Sequence, residues 1–190
     1  MLALLVLSAA EIGGEVKGLS FKDIRFLVRT LDDLPKGKPV VLAFADSSVP
    51  LPALVKLEKE QRAKASFAVV NGGGDSIRAM AAHAVAQEAE FPFLKDHDGK
   101  AAARLGVERQ GTAVILDAAR RLRWRGGLAG LPDALAAILA GKPAKEAKPD
   151  GPAIIVPKLP KPAKPPTFAG QVGPILHRHC VECHRPGTAA

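Results

Sequence analysis

Two continuous apolar runs lie close together in this chain and limit its fold more than any other feature. Val40-Val41-Leu42-Ala43-Phe44-Ala45 follows a Pro- and Gly-containing turn at Lys36–Pro39. Ser66-Phe67-Ala68-Val69-Val70 comes next and stops at Asn71-Gly72-Gly73-Gly74. Neither run alternates with polar residues, the pattern of strands buried on both faces. Between them, Pro52 to Arg62 carries Leu54 and Leu57 among charged residues, which reads as a helix. Strands of this kind joined by a helix are parallel and belong to a sheet covered by helices on both sides.

The rest of the pattern extends this unit. Asp75 or Ser76 can cap a helix whose apolar positions Ile77, Met80, Ala81, Ala84 and Val85 share one face. Phe91-Pro92-Phe93-Leu94 is a short extended piece, and Asp96-His97-Asp98-Gly99 a turn. Ala101 to Leu105 is a short helix closed by Gly106. Thr112–Leu116 is a strand, and Leu122-Arg123-Trp124-Arg125 alternates as its hairpin partner. A last helix starts at Pro132, has Leu135, Ile138 and Leu139 as its apolar face, and ends at Gly141. Parallel strands joined by helices, then an antiparallel hairpin and a closing helix, describe a thioredoxin-like fold: a central mixed sheet flanked by helices. With seven Phe, one Trp and no Tyr, its core must be mostly aliphatic.

The flanks read differently. Residues 1–11, Met-Leu-Ala-Leu-Leu-Val-Leu-Ser-Ala-Ala-Glu, resemble the apolar core and cleavage site of a signal peptide lacking its basic start. Export, to the periplasm, is the expectation, with a buried first strand or helix as the alternative. The run is too short to cross a bilayer, and no other segment approaches that length. No integral membrane segment is therefore expected. Residues 142–166 hold eight of the sixteen prolines and six lysines against Glu146 and Asp150, a net +4 of the chain's +8. Such a segment predicts a semi-rigid, solvated linker, with Ile154-Ile155-Val156 as a patch that can dock. The remaining excess charge forms no stripe and lies among few aromatics, so nucleic acid is not an expected partner.

Several segments together resemble bacterial redoxins of the alkyl hydroperoxide reductase/thiol-specific antioxidant group, in the thioredoxin superfamily. They are Val40–Phe44, Val69–Arg78, Phe91–Asp96, Leu105–Val107 and Val114–Gly126. The resemblance covers about residues 12–141 and implies a thiol-dependent oxidoreductase or peroxidase. Two departures bear on that. Where the family has a cysteine and a proline after the strand, this chain reads Asp46-Ser47-Ser48-Val49-Pro50, with Val49 in the cysteine's place. Where the family has a Thr-Pro pair before a later strand, it reads Gln110-Gly111. Both cysteines of the chain, Cys180 and Cys183, lie near its end, so residues 1–179 cannot supply the thiolate that such catalysis needs. Ser47 and Ser48 lack an evident base, His83 and His97 are expected on the surface, and no catalytic residue is assigned.

The tail, residues 167–190, carries Cys180-Val181-Glu182-Cys183-His184. This is the attachment signature of covalent haem c: two thioether sulfurs, and His184 to ligate the iron. Phe168, Val172, Ile175, Leu176 and Cys180 recur at helical spacing, as in a helix that leads into a haem. The competing readings are a Cys180–Cys183 disulfide, a thioredoxin-type redox pair, or a zinc site using His177, His179 or His184. Six residues follow His184, and the methionines are Met1 and Met80. The expectation is thus the beginning of a c-type cytochrome segment, serving electron transfer with an unnamed redox partner. The alternative is a non-enzymatic thioredoxin-fold interaction module whose motif binds zinc or forms a disulfide.

Overall fold

The computed structural model describes residues 9–157 and 165–179. The chain divides into two compact units, Met1–Pro157 and Lys158–Ala190.

The first unit is built on a seven-stranded sheet. Its strands are β1 (Ser20–Asp23), β2 (Val28–Thr30), β3 (Val40–Phe44), β4 (Ser66–Asn71), β5 (Phe93–Lys95), β6 (Thr112–Leu116) and β7 (Leu122–Gly127). They lie in the order β2-β1-β5-β4-β3-β6-β7. β3 pairs parallel to β4 and β4 parallel to β5, while β6 and β7 continue antiparallel from β3. The helices are α1 (Pro52–Gln61), α2 (Ile77–Ala86), α3 (Lys100–Leu105) and α4 (Leu131–Leu139).

Every residue of β3 is buried, and its side chains alternate between two cores. Val41 and Ala43 join Phe67, Val69 and Ile115 beneath residues of α1, α2 and α4. Val40, Leu42 and Phe44 join Ala68, Val70 and Val114 against Ala101, Ala102 and Leu105 of α3. The strand period of two thus divides one apolar run between the two faces of the sheet.

The helix starts follow local chemistry. Pro52 opens α1, where its missing N–H costs nothing. The Ser76 hydroxyl accepts from the Ala79 amide and caps α2. One expectation for α2 is corrected: Val85 is exposed, and His83 is buried in its stead. The buried face centres on Met80. At 3.6 residues per turn, His83 stands about 60° round from Met80 and Val85 about 140°. The His83 ring meets the Phe93 ring edge-on at 5.8 Å, an arrangement aromatic rings favour.

The sequence pattern assigned no element between residue 12 and β3, yet β1 and β2 form a hairpin there. Its turn is organised by the buried Asp23 carboxylate, which accepts from the Arg25 and Leu27 amides and from Arg29 Nε.

The largest departure lies after α4. Composition predicted a solvated spacer from residue 142, but residues 142–157 lie along the first unit. The indole of the buried Trp124 donates to the Lys145 carbonyl at 2.7 Å. Gly127 donates to Ala147, Gln110 to Pro152, and Ile154 to Glu108, each at 2.8 Å. Arg109 and Ala153 form an antiparallel bridge. Proline lacks an N–H but keeps its carbonyl, so a proline-rich strand can still accept from a neighbouring edge. Glycines provide the clearance. A methyl at Gly126 would stand 2.6 Å from the Ala147 carbonyl oxygen, and one at Gly127 2.6 Å from that of Lys148.

In the second unit, Thr167 caps a wide turn over Phe168–Val172 that continues into α5 (Gly173–His179). Phe168, Val172, Ile175 and Leu176 are exposed along this segment. Among the described residues, no helix is long and apolar enough to cross a membrane.

A chain ending at residue 141 should therefore be less stable than one ending at residue 157 by about 2–4 kcal/mol, the net value of several lost hydrogen bonds. Urea unfolding of the two, followed by Trp124 fluorescence, measures the difference.

Candidate functional site

Four chain segments meet at one end of the sheet. β3 leaves through Ala45 and Asp46, β4 through Gly72–Gly74, and β5 through Asp96. β6 runs antiparallel to β3 and enters here from Gln110-Gly111. Gly111 donates to the Phe44 carbonyl and accepts from the Leu128 amide, both at 2.8 Å. The carboxyl ends of parallel strands are where open α/β sheets place their functional groups.

The end is polar and largely closed. Lys95 terminates β5 and is buried. Its ammonium donates to Asn71 Oδ1 at 2.8 Å and to the Gly73 carbonyl. Asn71 in turn donates to Asp75 Oδ2 at 2.9 Å. Asp75 also accepts from the Ser47 amide at 2.7 Å and the Ser47 hydroxyl at 3.1 Å. Asp46 Oδ1 accepts from the Ser48 amide and hydroxyl at 3.0 and 2.5 Å. The network thus ties the loop after β3 to the loop after β4. Burial pushes the Lys95 ammonium below its ordinary value, against the pull of Asp75, Asp96 and Asp46. Burial likewise raises the Asp96 carboxyl, although the Ala102 and Ala101 amides donate to it.

Gln110 completes the floor. It is 2% exposed, and its amide oxygen has no hydrogen-bond partner. A side chain on Gly73 would begin 3.2 Å from Gln110 Nε2 and 3.4 Å from Asp46 Oδ2, so the backbone and both side chains are packed closely.

The sequence-level candidates fall as follows. Val49 lies in the loop before α1, half-buried and packed on the core beneath α1 and α2. It contributes packing at the start of α1. Ser47 and Ser48 do have carboxylate neighbours, contrary to the expectation that none stood near. A carboxylate is in general too weak a base to generate an alkoxide near neutral pH, so these contacts position the loop. His97 is exposed on its turn, and partial loss of solvent around its ring, with the nearby Lys22 and Lys95 charges, lowers its pKa. Cys180, Cys183 and His184 lie outside the described residues. His177 is exposed on α5. No group of three His, Cys, Asp or Glu among the described residues is placed to hold a metal ion.

Asn71 and Lys95 were not singled out from the sequence, which marked Asp75 only as a helix cap and Gln110 only as a departure from the family pattern. The available signal was Lys95 itself, a charge at the end of the apolar run Phe91–Leu94.

No family model and no curated protein matches this chain. Solved structures do. A hypothetical protein from Sinorhizobium meliloti 1021 is 20% identical with a TM-score of 0.70, covering 77% of this chain and 95% of its own. Peroxidoxin BcpB from Mycobacterium tuberculosis is 24% identical with a TM-score of 0.57, covering 70% and 95%. Bacterioferritin comigratory protein from Xanthomonas campestris, studied for alkyl peroxide reduction, is 18% identical with a TM-score of 0.57, covering 70% and 98%. The body has a thioredoxin-like α/β fold. At these identities the likeness is one of fold, and fold alone does not assign chemistry.

The lowered Lys95 value gives a test. Between its folded value and the ordinary 10.5, the unfolded chain holds a proton that the folded chain has released. Stability should therefore rise with pH across that window and be level below it. Lys95→Met should remove this rise. It should also cost about 3 kcal/mol, because Asn71, the Gly73 carbonyl and Asp75 lose their cation. Urea midpoints of both proteins across alkaline pH measure the two effects.

Proposed function

We propose that this chain is a redoxin-like protein whose thioredoxin-fold body performs no thiol chemistry and whose tail binds haem c covalently for electron transfer. The observation that carries the reading is the placement of sulfur. The loop before α1 presents Val49, and both cysteines stand together in the tail with a histidine directly after them.

The tail residues suit the group. Cys180 and Cys183 would supply the two thiols for thioether links to the haem, and His184 would supply an imidazole for the iron. α5 ends at His179, one residue before the motif. Its exposed Ile175 and Leu176, with Val172 and Phe168 ahead of them, offer apolar side chains to a porphyrin edge. Bound haem would carry one electron by cycling between ferrous and ferric iron. The apolar opening, residues 1–11, fits export to the periplasm, a compartment compatible with such a protein.

The body then acts as a binding or positioning module. Its polar end is held by Lys95, Asn71 and Asp75 without a nucleophile activated by a strong base. Peroxide or disulfide reduction by this body would need a thiolate, and residues 1–179 contain no cysteine.

Expression with the cytochrome c maturation machinery should yield a protein that stains for haem after denaturing electrophoresis. Cys180→Ala with Cys183→Ala should abolish the stain, and a chain ending at residue 157 should not turn over hydroperoxides. A colourless full-length protein that binds zinc in a one-to-one ratio would instead establish the interaction-module reading.

A further inference from the structure

The strand-like part of the segment after α4 sits on the body like a bound peptide. Gln110 donates to the Pro152 carbonyl and Ile154 donates to the Glu108 carbonyl, bracketing the antiparallel Arg109–Ala153 bridge. Side chains alternate as in a strand. Ile154 packs on the core beside α3, Ile155 is 76% exposed, and Val156 turns back inward. The two inward residues each meet a glycine: Ile154 Cγ2 lies 3.1 Å from where a side chain on Gly72 would begin, and Val156 Cγ2 2.7 Å from that point on Gly99. Gly151 approaches so closely that a methyl there would overlap the Gln110 carbonyl oxygen.

We propose that the backbone edge Glu108–Gly111, with the glycine floor at Gly72 and Gly99, is a docking track for an extended polypeptide, which residues 149–157 occupy in cis as an internal competitor. The track defines the partner's chemistry. It takes a glycine against the Gln110 carbonyl, where no side chain fits, followed by aliphatic residues three and five positions later. Backbone hydrogen bonds to Glu108 and Gln110 supply sequence-independent affinity, and the alternate aliphatic seats supply selectivity, the logic of strand addition to an exposed edge. A tethered competitor acts at an effective concentration on the order of millimolar. An outside peptide therefore binds only when the segment lifts or when it binds more tightly. The proposal is independent of the haem reading, since it concerns the first unit alone.

The test uses full-length chains and a fluorescent peptide with the sequence of residues 149–157. Two variants lift the segment by different means: Gly151→Ala, through overlap with the Gln110 carbonyl, and Ile154→Pro, through loss of the N–H given to Glu108. Faster exchange of the Gln110 amide reports the opening, and unchanged Trp124 fluorescence reports an intact body. The expected result is peptide binding at least tenfold tighter to both variants than to the unaltered chain. The same peptide with alanine in place of its glycine should bind at least tenfold more weakly. Equal binding to variants and unaltered chain would overturn the proposal, as would failure of opened variants to bind. A Gln110 amide that stays protected in both variants would also overturn it, because the contacts defining the track would then not hold the segment. Dimerisation of the opened variants without added peptide would replace the outside peptide with a second copy as occupant.

Discussion

Burial of β3 on both faces is the constraint on which the molecule depends. A strand with five consecutive buried residues has no face to give to water. Helices must cover both sides, and its neighbours must pair with it along its length. β4 and β6 do so over the whole strand. The parallel partner on one side and the antiparallel partner on the other bring the exit of β3, the exit of β4 and the entry of β6 to one edge. The polar network of Lys95, Asn71, Asp75, Asp46 and the two serines exists because backbone groups and side chains converge there. Buried polar groups require partners, and here each loop supplies them to the next.

That network limits the chemistry available. Lys95 is held by an amide oxygen and a backbone carbonyl within reach of three carboxylates. Ser47 and Ser48 are committed to Asp75 and Asp46. Val49 turns to the core. The backbone strip before β6 has its hydrogen bonds taken by the chain's own later segment. The same glycines that let that segment approach leave no side chain to do chemistry in their place. The body thus has a polar, closed strand end and a backbone edge paired with the chain's own later segment.

Much of this architecture was legible from pattern. β3, β4, β6, β7 and all four helices of the body follow from apolar period, caps and glycine stops, because those signals act within a few residues. The hairpin before β3 was not legible: its strands are short, and its turn depends on Asp23 gathering the Arg25 and Leu27 amides and the Arg29 side chain. The exchange of Val85 for His83 on α2 was also hidden, since a histidine gives no apolar signal and the edge-on contact with Phe93 comes from another strand. Of the site, the sequence displayed the loop before α1 and the absence of cysteine from residues 1–179. It did not display the Lys95–Asn71–Asp75 chain, whose members are 24 and 4 residues apart and meet only when β4 and β5 pair.

The amino-acid sequence by itself determined that the body must be a helix-covered mixed sheet, that residues 1–179 offer no thiol, and that sulfur and imidazole stand together in the tail. These are statements about residue type and local period, which no folding can alter. Tertiary structure alone decided that residues 142–157 belong to the body. Proline and lysine content describes a chain that prefers water when nothing pairs with it, and composition carries no record of the edge that does. Only when Gly126, Gly127 and Gly72 are brought together across the fold does a path appear close enough for another backbone to follow, and that path, absent from any local stretch, makes a spacer-like sequence part of the structure.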